Sequence, residues 1–135
     1  MATVCENDVT WAGSEGGNYV LWKGRCPLTG ITDPALLRAS HIVPWAKCET
    51  DAHRLDIHNG LLLSALWDAA FDAGLISFDD DGRPLSSTAL TPIAAAQLNI
   101  KIASPLKLTD AHRTNLTRHR ERYGFTVTPN QEAHA

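Results

Sequence analysis

Cysteine is scarce in this chain. There are three, Cys5, Cys26 and Cys48, odd in number and far apart. No Cys-x-x-Cys occurs, which argues against a zinc ribbon and leaves buried free thiols as the expectation. A run of ~20 apolar residues is also missing, so no membrane-spanning helix is expected. The first eight residues lack the basic and apolar regions of a signal peptide, which makes a cytoplasmic protein the default. Excess positive charge is absent too: the net charge is −3. A partner such as nucleic acid would therefore have to be met by a local patch of bases. No internal repeat is visible. At 135 residues the chain suits one domain with a modest core.

What the chain does have is concentrated between Ser40 and Asp72. Ser40-His41-Ile42-Val43-Pro44-Trp45 comes first, then Asp56-Ile57-His58-Asn59-Gly60. The apolar run Leu61-Leu62-Leu63 leads into Leu66-Trp67-Asp68-Ala69-Ala70-Phe71-Asp72. His41 and Asn59 fall at the ends of two short strands able to pair as a hairpin. Asp68 and Asp72 are four apart, so a helix turns both carboxylates to one face, where they can converge on one cation.

Around this stretch the punctuation is readable. Cys26-Pro27-Leu28-Thr29-Gly30 predicts a turn. A strand is expected from Arg38 to Val43, ended by Pro44, and a second from Leu61 to Ser64. Between them Lys47 to His58 reads as a polar loop, with His53 and His58 as further histidines. Ser64 is positioned to cap a helix from about Ala65 to Ala73, closed by Gly74. Leu75–Phe78 and Arg83–Leu85 predict a small hairpin across Asp79-Asp80-Asp81-Gly82. That acidic triplet lacks the alternating spacing of a calcium loop and is expected to be a solvated turn. Thr91-Pro92 opens a short helix, and Thr109 or Asp110 caps a last one running to about Tyr123 and stopped by Gly124. Bases collect in this last third: Lys101, Lys107, Arg113, Arg118, Arg120 and Arg122. They suit phosphate contact, although a merely solvated helix face is an equal alternative. Asn18 to Trp22 fits a short strand or a short helix equally well.

These motifs, in this order, resemble the HNH (ββα-metal, His-Me finger) endonucleases. The resemblance runs from roughly Cys26 to Arg83. It rests on Ser-His-Ile-Val-Pro-Trp (40–45), Asn-Gly-Leu-Leu-Leu-Ser (59–64) and Phe-Asp-Ala-Gly-Leu-Ile-Ser-Phe (71–78), and Cys-Pro-Leu-Thr-Gly (26–30) fits the restriction-type subgroup. It implies an α+β fold, one domain with a ββα-metal core, a flanking N-terminal segment and C-terminal helices. The corresponding divisions are 1–25 (flanking segment), 26–85 (nuclease core), 86–125 (helical extension) and 126–135 (disordered tail).

The resemblance further implies phosphodiester hydrolysis of DNA, of restriction or phage-defence type. His41 would be the general base, suited by a pKa near neutrality. Asn59 would hold the loop or orient the histidine, a simple Asn-Gly turn pair being the alternative. Asp68 and Asp72 fall where helix-borne metal ligands sit in the family; otherwise Asp68 is a helix-surface acid and Asp72 a partner for the turn at Ala73-Gly74. Carboxylates favour Mg²⁺ or Mn²⁺, with Zn²⁺ or Ni²⁺ as alternatives. The nucleic-acid contacts would be Arg113, Arg118, Arg120, Arg122 and His119; His119 could also return to the site as a missing ligand, or be structural. Two departures stand out. The family's helix histidine is replaced by Trp67-Asp68, and Ser40 stands where many members carry an acid or histidine before the base. A degenerate HNH fold that binds nucleic acid or protein without cutting is therefore the rival, and a toxin nuclease a third. No major-groove reading module accompanies the core, so either sequence specificity is low or it comes from a homodimer, a partner or further segments.

Overall fold

The leucine run dictates the centre of the molecule. Leu61, Leu62 and Leu63 are consecutive and fully buried, so their strand must be covered on both faces. In the computed structural model, which describes residues 17, 19–43, 48, 50, 52 and 57–125, they form β2 (Gly60–Ser64), which pairs antiparallel with β1 (Leu37–His41). The register sets His41 opposite Gly60 and Ser40 opposite Leu61. Paired residues share a face, and faces alternate along each strand. Arg38 and Ser40 thus share one face with Leu61 and Leu63, while Ala39 and His41 take the other.

Helix α1 (Ala65–Asp72) follows β2 without a loop and packs across both strands. Its buried side chains are Trp67, Ala70 and Phe71, and full burial of a large aromatic such as Phe71 is worth roughly 2 kcal/mol. Ser64 occupies the N-cap position but makes no side-chain cap bond, so the expected serine cap is absent. The helix ends as its sequence predicts. Gly74 adopts φ 77°, and the N–H groups of Gly74 and Leu75 return to the carbonyls of Phe71 and Ala70, a Schellman closure. A Cβ at Gly74 would strike the ring of Tyr123, so this glycine is required by packing as well as by φ.

Strands β3 (Ile76–Phe78) and β4 (Pro84–Ser86) form the second hairpin. Its Asp turn is less solvated than expected. Asp79 is buried, and its carboxylate accepts the N–H groups of Asp81 and Arg83 at 2.9 Å each. Helix α2 (Pro92–Leu98) is capped by Thr91, and Asn99 adopts the left-handed conformation at its end. Helix α3 (Asp110–Tyr123) begins in a capping box between Thr109 and His112 and ends at left-handed Gly124.

The core joins β1, β2, α1 and β3. Phe78 lies 5.6 Å from Phe71 and 6.2 Å from Trp67, ring centre to ring centre. Helix α3 is laid against β3 and the 3₁₀ turn Ile57–Asn59. Tyr19 to Leu21 are helical, which decides the ambiguous N-terminal stretch in favour of helix. Among the described residues no helix is long and apolar enough to cross a membrane. Cys5, Trp11, Pro44, His53 and the tail 126–135 lie outside the described residues, as does most of the loop between 44 and 56.

Candidate active site

The connection from β1 to β2 is long, and Asn59 closes its base. Asn59 is 1% exposed. Its side-chain oxygen accepts the N–H of Val43 at 2.8 Å, and its Nδ2 donates to the Val43 carbonyl at 3.1 Å. Nδ2 also donates to the Sγ of Cys48 at 3.4 Å, and the Asn59 carbonyl accepts the N–H of Ile42 at 3.0 Å. A buried amide left unpaired would cost about 1–3 kcal/mol, so these bonds hold the two ends of the loop together. Asn59-Gly60 is therefore not a hairpin turn pair: Gly60 is already strand, opposite His41. His41 ends β1 half-buried, next to this clamp.

On the other face of β1 sit the acids. Asp68 is half-buried on α1, with the Ser40 hydroxyl near its carboxylate. Asp72, one turn further on, is exposed. Burial raises the Asp68 pKa above the usual carboxylate value, and the charge of Asp72 raises it further; the Ser40 hydroxyl and the charge of Arg38 act the other way. Two acids thus share a helix face on which the ionised form of one is disfavoured, an electrostatic arrangement that a cation relieves.

The donor set narrows which cation fits. No cluster of three or more His, Cys, Asp or Glu exists among the described residues. Two carboxylates and a hydroxyl cannot complete a zinc tetrahedron. They do suit a hard ion such as Mg²⁺, which retains several waters and takes only one or two protein carboxylates.

Helix α3 departs from the expected row of phosphate-binding bases. His119 is 3% exposed and lies flat against Phe71. Its Nε2 donates to the Phe71 carbonyl at 2.9 Å, since a carbonyl can only accept, and its Nδ1 lies 2.8 Å from the Ser77 hydroxyl. Both ring nitrogens are engaged inside the protein, which removes His119 from the DNA-facing set and from the set of ligands. Arg120 is buried as well. It donates to the Phe78 carbonyl at 2.6 Å and to Asp80 at 3.1 Å, so it anchors the second hairpin and does not point at a ligand. Arg113 bonds Asp110 at 2.7 Å and the Asp80 carbonyl at 3.0 Å. Arg122 is exposed, and Arg118 half-buried. The helix also braces the acid-bearing one, because the Tyr123 hydroxyl donates to the Asp72 carbonyl at 2.7 Å.

Two residues near the site carry no motif signal of their own. Arg38 is reachable by counting back two from Ser40 along the strand, which puts it on the acid-facing side. Its Nη1 donates to the carbonyls of Ala35 and Leu37, at 3.2 and 2.9 Å. Cys48 lies in the connection between β1 and β2, where neither periodicity nor spacing in the sequence marks it.

Comparison with known proteins bears on the fold of this core. Residues 26–79 match the family model described as HNH endonuclease. A solved structure, "Modification dependent TagI restriction endonuclease", resembles the chain with a TM-score of 0.53 and 20% identity, over 78% of this chain. The chain corresponds to 35% of the length of that structure. No curated protein matches. By its hairpin, its following helix and the family match over residues 26–79, the chain is an α+β protein built on an HNH-type ββα core.

Proposed function

We propose that the chain is a metal-dependent endonuclease that hydrolyses DNA phosphodiester bonds, of restriction or phage-defence type. The observation that carries this reading is the two-sided end of the β1–β2 hairpin. His41 ends β1 beside the Asn59 clamp, and Ser40, on the opposite face of the strand, neighbours Asp68 on α1, one turn before Asp72. Residues 26–85 form the nuclease core, and 86–125 the extension that braces it.

In this reading His41 takes a proton from the attacking water through one ring nitrogen. The water oxygen bonds to phosphorus as the bond to the 3′ oxygen breaks. Asn59 keeps the strand end carrying His41 in register with the loop. Asp68 and Asp72 would hold the divalent ion, Mg²⁺ or Mn²⁺ in preference to Zn²⁺ or Ni²⁺, with Ser40 orienting the Asp68 carboxylate. When bound, such an ion offsets charge on the phosphate and on the leaving oxygen. Arg38, Arg118 and Arg122 would meet the DNA backbone, a contribution that depends on salt and not on base sequence.

A second reading has one observation in its favour. Ser40 stands where a third strong ligand would complete the site, and two carboxylates alone suit a fold that binds DNA without cutting. A plasmid-nicking assay with Mg²⁺, Mn²⁺, Ni²⁺ and Zn²⁺, with His41→Ala as control, separates the two. Nicking by the wild type that His41→Ala abolishes supports the nuclease. DNA binding without nicking by any ion supports the binding module.

A further inference from the structure

The two described cysteines are both buried but in different surroundings. Cys26 belongs to the hydrophobic core cluster, as a small apolar side chain should. Cys48 does not. Its sulfur sits among polar atoms, accepting from Asn59 Nδ2 at 3.4 Å and donating to the Val43 carbonyl at 3.5 Å.

We propose that Cys48 is a positioning residue for the Asn59 carboxamide, and through it for the end of the strand that carries His41. The claim rests on the nuclease reading only for its kinetic consequence. An asparagine amide can be seated in either of two orientations, and its partners select one. Here Val43 supplies both a donor and an acceptor: its N–H meets Oδ1 and its carbonyl meets Nδ2. The second Nδ2 proton then needs an acceptor within a closed loop, and Cys48 provides it. A thiol can do this while its own proton turns to the Val43 carbonyl, because it both donates and accepts. Val43, Cys48 and Asn59 thus form a closed ring of bonds spanning the start, middle and end of the loop. Alanine at 48 would leave one amide proton without this partner and the carboxamide held by its two Val43 bonds alone.

The test uses the whole chain. Cys48→Ala should lower kcat for plasmid nicking about tenfold per folded molecule, with the KM for DNA close to wild type and the melting temperature lowered by a few degrees at about neutral pH. Cys48→Ser, which keeps a donor and an acceptor, should recover most of that loss. Cys48→Ala combined with Asn59→Ala should be no slower than Asn59→Ala alone, since both act through one group. Should Cys48→Ala fail to fold, Cys48→Val fills the space without a donor or acceptor and should show the same kcat loss per folded molecule. An independent readout is the pair of Asn59 Nδ2 proton resonances, which should shift and exchange faster with solvent in Cys48→Ala. Wild-type kcat in Cys48→Ala, or multiplicative losses in the double variant, would overturn the proposal. So would a lowered melting temperature with full activity per folded molecule, which would leave Cys48 as packing alone. If the wild type nicks no DNA with any ion, the nuclease reading fails and the amide resonances decide Cys48 by themselves: unchanged resonances refute it.

Discussion

The imidazole of His119 lies on the ring of Phe71, with centroids 3.8 Å apart and planes within 2° of parallel. Helix α3 is thereby stacked on the helix that carries both candidate metal ligands. Burial lowers the His119 pKa from 6.5 to about 4; the Phe71 carbonyl bond opposes that shift without cancelling it. The unfolded chain therefore takes up this proton first as pH falls. Stability from His119 is fully present above pH 6.5 and is lost as pH drops from 6.5 towards 4, by up to about 1.4 kcal/mol per pH unit. Urea midpoints across that range should fall more steeply for wild type than for His119→Gln. Parallel curves would refute the assignment.

Asp68 gives the opposite sign. Its folded pKa lies above the unfolded value, so its charge opposes folding at neutral pH and the opposition fades as pH falls through the raised value. Asp68→Asn should then raise the melting temperature at pH 7 while weakening Mg²⁺ or Mn²⁺ binding measured by calorimetry. Asp72→Asn should weaken binding with less effect on stability, because Asp72 is exposed. Metal affinity unchanged in the double variant would remove both residues from the site.

The arginines of α3 divide by burial. Arg120→Ala should destabilise the fold by roughly 3 kcal/mol, because it breaks charged hydrogen bonds inside the protein and leaves the Phe78 carbonyl without this donor. Arg118→Ala with Arg122→Ala should weaken DNA binding evenly across sequences and flatten its salt dependence. Binding titrations from low to moderate salt check this, and an unaltered slope would leave the helix as support only.

His41 carries the sharpest expectation. His41→Ala should reduce the cleavage rate by about 10²–10⁴, while metal and DNA binding change much less. Single-turnover cleavage beside equilibrium binding measures both. Cutting at the wild-type rate in pure His41→Ala would refute the mechanism whatever else the fold does.

Most elements were legible because local rules set them. Thr91-Pro92, Thr109, Gly74 and Gly124 mark helix ends through caps and positive φ, and the leucine run needs cover on both faces wherever it sits. The pairing of Asp68 with Asp72 on one face likewise follows from helical spacing alone. The destinations of long polar side chains did not follow. Arg118, Arg120 and Arg122 look alike in sequence, since a run of bases says nothing about which one meets a buried carbonyl. That depended on where β3 and its Asp turn come to rest against α3, contacts some forty residues apart in the chain. His119 became a core residue for the same reason: the Phe71 carbonyl and the Ser77 hydroxyl reach it only after α3 docks. Cys48 is the extreme case. Its loop has no periodicity to read, and only closure of the loop by Asn59 gives its sulfur polar partners. Sequence determined the ββα core and the residues at its tip; tertiary packing decided which charges face water, because desolvation acts on a side chain only once neighbours cover it.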